Sequence, residues 1–468
     1  MKKKVLLTSV MTIVLCMCLI AGSTYALFTS TSKLDVSVES GKVNMLANIE
    51  SLKLWSVEAD PNAAEKIVDE NGHIYKYVDR TPEGFFTNGG DAEFKDAVLT
   101  MERVTPGDKV SFTLTGANTS NVSIQYRYII ECLSGYELMS GFNVYIDGVK
   151  YESLNSYTTA WAPLAAETDM ADVAIEIELP VTAGNEYQDL QSDIRITVEA
   201  IQGNAVTVNP DLLITYVTRA ASAEDAVAAL ADPDVDYVCL GSEFEGNLVV
   251  DGDIANKTID ALNHDIDMKF NGKVENVVVK NVVNTTDAGI KLDVSNATGD
   301  ITVEDSTFVS GSGTSNQAIK PGSNVDITAV NCDFVSADGY SKTYAFYGFG
   351  AKNVEIVDCD FVGFASWAYQ INGSQYGDFI IRDCNFTDCK DGLVKSGVKG
   401  AAGTTGTVGG NFIFTDNTLI NCAPHDAGDV NWIEVKYDGD ADIANNTLDG
   451  SAWNILPNKW IVDTIPNP

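Results

Sequence analysis

The sequence predicts an all-β protein in two parts: an N-terminal β-sandwich of jelly-roll type, then a parallel β-solenoid closed by a short capping α-helix. Three observations carry this expectation. A strand-and-corner unit recurs through the C-terminal half, short alternating strands with turn signals fill the N-terminal half, and one capped helical run lies between them. A length of 468 residues leaves room for two or three domains.

The recurring unit reads V-E-I-V-D-C-D-F over 354–361. It returns as I-T-V-E-D-S-T-F (301–308), D-I-T-A-V-N-C-D-F (326–334), F-I-I-R-D-C-N-F (379–386), F-I-F-T-D-N-T-L (412–419) and A-D-I-A-N-N-T-L (441–448). A weaker copy, V-V-V-K-N-V-V, stands at 277–283. The residue after each corner Asp or Asn is Ser306, Cys332, Cys359, Cys384, Asn417 or Asn446, at spacings of 26, 27, 25, 33 and 29. A period of about 20 to 50 residues means stacked supersecondary units. Alternation before the corner marks a strand with one buried face, and Asp or Asn suits a left-handed bend. One strand, a corner and a second strand describe a coil whose turns pair in parallel, each too small to stand without its neighbours. The corner residues should form one column, with Phe308, Phe334, Phe361, Phe386, Leu419 and Leu448 stacked inside.

A second motif keeps the register upstream: A-G-I-K-L (288–292), Q-A-I-K (317–320), Y-A-F-Y (344–347), W-A-Y-Q (367–370), D-G-L-V-K (391–395) and N-W-I-E-V-K (431–436). On these repeats, residues from about 237 to 460, within a domain expected over 237–468, resemble the right-handed parallel β-helix of the pectate-lyase-like superfamily. The resemblance implies a fold, not an activity, because that fold hosts lyases, hydrolases, adhesins and proteins of no known activity.

From its start, the chain opens with a targeting segment over 1–26. Lys2–Lys4 give a positive n-region, Val5–Ile20 an apolar stretch, and Thr24-Tyr25-Ala26 a small-residue cleavage site between Ala26 and Leu27. The apolar run is short for a spanning helix, so no membrane attachment is expected after processing. Removal of its three lysines takes the formal charge from −36 to −39. Such a surface disfavours nucleic acid and anionic membranes and fits a secreted protein of the cell surface or extracellular matrix.

Residues 27–205 read as the sandwich. Alternating runs stand at 34–38, 43–49, 52–57, 110–114, 124–130, 175–179 and 194–200, and Asp147-Gly148 between alternating strands signals a hairpin. Y-A-L-F-T-S-T-S-K (25–33), V-T-P-G-D-K-V-S-F-T-L (104–114) and N-T-S-N-V-S-I-Q-Y-R-Y (118–128) resemble the TasA/camelysin family of secreted Gram-positive matrix proteins. The resemblance implies a dedicated signal peptidase and, in some members, fibres of the biofilm matrix. It also implies a donor strand in the mature N-terminus, with Leu27, Phe28, Leu34, Val36 and Val38 as its apolar residues. That segment can pair within its own sandwich or add to the edge of a second copy. The peptidase label some members carry finds no H-E-x-x-H here.

Residues 206–236 are expected to be a linker and the capping helix, opened by Ser222 as N-cap with Asp225 three residues on and stopped at Asp232-Pro233. The late Trp and Pro of 453–468 suit a cap at the other end.

Candidate chemistry is sparse. His73, His264 and His425 stand far apart in polar contexts, which suits solvated loops. The pectate-lyase likeness implies an Arg base beside calcium-binding acids. Arg382 is the Arg of the solenoid region, and the G-H-G and R-x-K patterns of related polygalacturonases are absent. Asp338, Asp378, Asp391 and Glu434 offer acids for a lyase or hydrolase, which needs an acid–base pair on one groove, although solvated loop acids would look the same. Cys332, Cys359 and Cys384 read as a buried thiol ladder, since a straight column does not converge on a metal. Cys389 and Cys422 fall in adjacent turns, where a secreted protein can oxidise them to a disulfide or leave them reduced. The sequence calls for no cofactor. Calcium is the one ion its acidic repeats invite, and isolated corner Asp residues also read as turn chemistry.

Aromatic residues are the better lead. On the outward face of the repeated strand, Tyr347 with Lys320, Gln370 and Glu434 makes a set able to hold a polysaccharide, against the competing use of such aromatics in core packing. Two functions follow: a non-enzymatic surface or biofilm-matrix protein whose polymerising sandwich displays the solenoid as spacer or glycan-binding head, or a secreted polysaccharide lyase or glycoside hydrolase.

Overall fold

The computed structural model describes residues 29–31, 44–64, 66–81, 97–102, 104–187, 189–203, 212–284, 290–311, 317–337, 343–348, 352–365, 367–371, 377–390, 393–396, 407–422, 433–437, 439–453 and 460–462. The leader, its cleavage point and Leu27, Phe28, Leu34, Val36 and Val38 lie outside these residues. The protein is all-β, and it divides into two compact units, Met1–Val217 and Thr218–Pro468.

The first unit contains two antiparallel sheets. One runs Ile67–Val68, Ile74–Asp79, Met45–Ala59, Lys109–Asn118, Val173–Glu178, Asn143–Ile146 and Val149–Glu152. The other is centred on Ile124–Ser134, paired with Gln191–Gln202 on one side and Leu154–Thr158 on the other. Alternate residues are buried, such as Val110, Phe112 and Leu114 on one strand and Ile194, Ile196 and Val198 on another. The runs expected separately at 43–49 and 52–57 form one strand. Its register against Lys109–Asn118 shifts between Glu50 and Lys53, with Ser51 at φ 56°; this β-bulge takes up the one extra residue without ending the pairing. The expected hairpin is present, with Asp147 (φ 49°) and Gly148 (φ 79°) both left-handed as a two-residue hairpin turn requires.

The structure departs from expectation at the linker, where Leu213–Ala220 is a strand. Leu213 to Tyr216 pair with Leu154–Thr158, so the pairing partner, rather than a long period in the segment itself, makes it a strand. The helix follows at Ala223–Ala231, its N-cap Ser222 Oγ accepting from Asp225 N at 3.2 Å. Ala226, Ala229 and Leu230 are buried, and the helix lies against the first strands of the solenoid. Lys257, also buried, donates through Nζ to the carbonyls of Asp232 and Val235, fastening the end of the helix to the first strand.

The second unit is a β-solenoid of three parallel sheets. Sheet A holds the strands before the corner (Val235–Leu240, Ile254–Asp260, Lys273–Lys280, Thr298–Glu304, Val325–Val330, Asn353–Val357, Phe379–Arg382, Phe412–Thr415 and Ala441–Ala444). Sheet B holds those after it, from Thr307–Ser310 to Asn446–Leu448. Sheet C, which the chain reaches next, runs from Leu248–Val250 through Gln317–Lys320, Tyr344–Gly348 and Tyr369–Ile371 to Ile433–Tyr437. The series ends in two antiparallel returns, Ser451–Trp453 on Asn446–Leu448 and Trp460–Val462 on Glu434–Lys436. Trp453 meets Phe414 edge-on at 6.1 Å.

The corner column forms as the repeat requires. Asp305, Asn331, Asp358, Asp383, Asp416 and Asn445 are all left-handed, at φ between 49° and 60°. The residue after each is buried. Side chains in this column accept backbone N–H groups of the preceding turn: Ser306 Oγ from Val282, Asn417 Oδ1 from Cys384 and Asn446 Oδ1 from Asn417, at 2.9–3.0 Å. Inside, Phe308, Phe334, Phe361 and Phe386 stack in register with centroids 5.5, 5.1 and 4.7 Å apart and interplanar angles of 12°, 19° and 6°. Leu419 and Leu448 continue the column, Leu448 only half-buried in the last turn of the series.

Candidate functional site

The outward face of sheet C carries the residues the sequence singles out. Strand alternation turns Ile319, Phe346, Tyr369, Val394 and Ile433 to the core, where all are buried, and puts their C-terminal neighbours on the other face. Parallel register then aligns Lys269, Asp293, Lys320, Tyr347, Gln370, Lys395 and Glu434 in successive turns. Lys320, Tyr347, Gln370 and Glu434 thus share one column, Glu434 by the register of its backbone. Asp293 and Lys395 are members the sequence reading missed.

The reason for missing Asp293 is a two-residue offset. The A-G-I-K-L motif suggests Ile290-Lys291 as the counterpart of Ile319-Lys320, whereas Leu292 pairs with Ile319 and Asp293 with Lys320. A shift of two keeps every side chain on its face, so the pattern alone cannot tell the registers apart.

Within the column, Lys320 Nζ lies 3.1 Å from Asp293 Oδ2. Burial pushes the Asp293 carboxyl up, but the Ser295 hydroxyl and N–H together with Lys320 outweigh it and hold its pKa below the ordinary carboxylate value. Tyr347 is half-buried, its ring stacked 4.6 Å from Tyr344. Gln370 is half-buried beside it, and Lys395 Nζ stands 5.2 Å from the Trp367 ring centroid. Two residues upstream on the same face, Ala318, Ala345 and Ala368 are buried alongside Lys320, Tyr347 and Gln370. The result is a strip of amide, phenol and ammonium groups beside a line of small side chains. Tyr344, Trp367, Tyr369 and Tyr437 are buried; Tyr340 and Tyr376 lie outside the described residues.

No protein-family model matches the chain, and no curated protein matches it in sequence. Among solved structures, it aligns with the Agl-KA catalytic domain at 10% identity and TM-score 0.15, covering 74% of this chain and 96% of that one. It also aligns with the catalytic unit of a thermostable GH87 α-1,3-glucanase from Streptomyces thermodiastaticus strain HF3-3, at 10% identity and TM-score 0.13, covering 76% and 98%. Likeness at these TM-scores carries no argument about this chain. The TasA/camelysin resemblance rests on its quoted residues alone, and several of these build turns. Asp108 accepts from Thr105 N and Oγ1, both at 2.8 Å, and Asn118 ties Val122 and Ala165 carbonyls to its own loop.

The other candidates lie elsewhere. Arg382 is on sheet A, exposed and paired with Glu355 and Asp383 at 3.1 and 3.3 Å. Asp378 Oδ1 accepts from Asn411 N at 2.8 Å at the entry to sheet A. Asp338, Asp391, His425 and the side chain of Glu434 fall outside the described residues. His73 pairs with Asp69 at 2.8 Å in an exposed turn. Cys332, Cys359 and Cys384 form the buried thiol ladder, and Cys389 and Cys422, one turn apart, are free thiols. Among the described residues, no group of three His, Cys, Asp or Glu is placed to hold a metal ion.

Proposed function

We propose that the solenoid binds an extended, uncharged polysaccharide along the outward column of sheet C, as part of a secreted surface or matrix protein. The observation that supports this reading is the register itself. Lys320, Tyr347 and Gln370 recur at strand spacing, about 4.8 Å, a repeated polar and aromatic ladder suited to a repeating ligand. Recognition sites combine aromatic surface with a few fixed polar groups. The strongly negative chain repels polyanions, and Lys320 is already matched by Asp293, so neutral sugars fit better than acidic ones. Cleavage of the bound chain, the alternative, requires a carboxyl kept protonated to act as acid. Asp293 is held in the opposite direction. A glycan array probed with the full chain, followed by product analysis on every hit, separates the readings. Retention with the glycan intact supports binding, shortened products support the enzyme, and no retention on any neutral glycan contradicts both.

The N-terminal unit has a second role in this reading, as a polymerising sandwich. Thr29–Thr31 lies antiparallel against Glu199–Ile201, along the same edge of Gln191–Gln202 that Ala97–Glu102 occupies further on. The described part of this pairing, Thr29–Thr31, lies on an open edge position, and the same edge on a second copy offers the same hydrogen bonds. Head-to-tail exchange does not close and gives filaments. Deleting residues 27–33 leaves a monomer that adds to no filament; a mature chain that stays monomeric at high concentration and acidic pH contradicts the idea. In an oxidising compartment Cys389 and Cys422 join in a disulfide, since adjacent turns sit within the Cα range of such bonds.

A further inference from the structure

Away from the column, three side chains meet where the chain enters sheet C. Asn284, at 1% exposure, follows a corner; Lys291, at 5%, precedes Leu292–Asp293; Asp265 comes from the preceding turn. Asp265 Oδ1 lies 2.8 Å from Lys291 Nζ and accepts from Asn284 Nδ2, also at 2.8 Å. Asn284 Oδ1 accepts from Val309 N at 2.9 Å. A backbone N–H can meet only the oxygen of the amide, which fixes its orientation. A buried amine and a buried carboxamide therefore share one carboxylate oxygen, while a backbone N–H polarises the amide carbonyl.

We propose that Lys291 and Asn284 join through their side chains in an amide bond, with Asp265 as the proton carrier. Lys291 Nζ, relieved of its proton by Asp265, attacks Asn284 Cγ, and the negative charge developing on Oδ1 is held by the Val309 N–H. Asp265 passes the proton to Nδ2, the C–N bond to Nδ2 breaks and ammonia leaves, and Asp265 takes up the second proton that Nζ sheds as it becomes the amide nitrogen. One amine and one primary amide give one secondary amide and ammonia, with no other reactant. Burial works to push the Lys291 pKa down, yet Asp265 and Asp267 outweigh it and hold it above the ordinary lysine value. The reaction therefore starts from the ion pair, by transfer of one proton from Lys291 Nζ to Asp265 Oδ1 across the 2.8 Å between them. Asp267 Oδ1, 2.8 Å from Nζ on its other side, keeps the amine in place. Fixed reactants replace an encounter in solution, the largest advantage such a site supplies. The product ties Asn284 to Lys291 across the connection between the corner and sheet C.

The test is the mass of the full chain under denaturing conditions, with peptide mapping. Wild-type protein is lighter by one ammonia than expected from the Lys291→Arg variant after allowing for the substituted residue, and a digest yields the peptides of Asn284 and Lys291 linked. Asp265→Asn keeps both partners and loses the link. Lys291→Arg preserves the charge, and a circular-dichroism spectrum and melting transition of Asp265→Asn that show a folded chain separate loss of the link from loss of the fold. A wild-type chain at full mass with Lys291 in an unmodified peptide overturns the proposal. So does loss of one water, which would place the bond on Asp265 or Asp267, or a link undiminished in Asp265→Asn.

Discussion

The solenoid and the N-terminal unit are both β-structure, but their pairing is specified in different ways. In the solenoid one residue position serves the same purpose turn after turn: left-handed Asp or Asn at the corner, a buried acceptor after it, Phe or Leu inside. In the N-terminal unit each pairing has a device of its own, such as the bulge at Ser51, the hairpin turn at Asp147-Gly148 or the carboxylate turn at Asp108. Repetition makes a damaged position in the solenoid a fault in a ladder, felt by the turns on both sides. An antiparallel device affects the two strands it joins.

The largest effect belongs to the inner ladder. Phe361→Ala removes a ring held between Phe334 and Phe386 and should cost about 3–5 kcal/mol, read as a shifted denaturant midpoint. Loss of hydrogen-exchange protection should reach the strands carrying both neighbouring rings; a loss confined to its own strand would break the ladder picture. Next comes Asn417→Ala, which leaves Cys384 N–H without its acceptor and frees the Ile381 carbonyl from Asn417 Nδ2, at about 1–3 kcal/mol for a buried group left unpaired. A neutral result would mean that corner acceptors are ornamental. The smallest effect falls in the N-terminal unit. Gly148→Ala meets no atom within 4 Å, so only its left-handed backbone, about 1–2 kcal/mol, is charged against it. Exchange should change only in Asn143–Glu152, and a wider change would erase the distinction between the two regions.

This contrast also explains what could be read from the sequence. The corner column and its Phe stack were legible because the same chemistry recurs at one period. The outward set of Lys320, Tyr347, Gln370 and Glu434 was legible for the same reason. Asp293 was not, because a two-residue slip leaves the alternation unchanged. A second ladder went unnoticed although it has a motif, Gly followed by Asp or Asn at 377–378, 410–411 and 439–440. There Gly410 N donates to Gly377 O and Gly439 N to Gly410 O, both at 3.0 Å, and a Cβ on Gly410 would stand 2.3 Å from Asp378 Oδ1. Its signal lies in two small polar residues, which hydrophobic periodicity does not weigh. In the N-terminal unit the strands could be recognised but not their partners, since Leu213–Ala220 becomes a strand through a neighbour some 60 residues earlier in the chain.

The outward column of sheet C, proposed as a binding surface, can be tested directly. A neutral polysaccharide taken from the array should be titrated by calorimetry into the full chain, the Tyr347→Ala/Gln370→Ala double variant and Arg382→Ala, whose side chain belongs to sheet A. The double variant should bind at least about tenfold more weakly, near 1.4 kcal/mol, with an unchanged melting temperature, and Arg382→Ala should bind as the parent does. Equal affinity in the double variant, or an equal loss in Arg382→Ala, would contradict the assignment of the column.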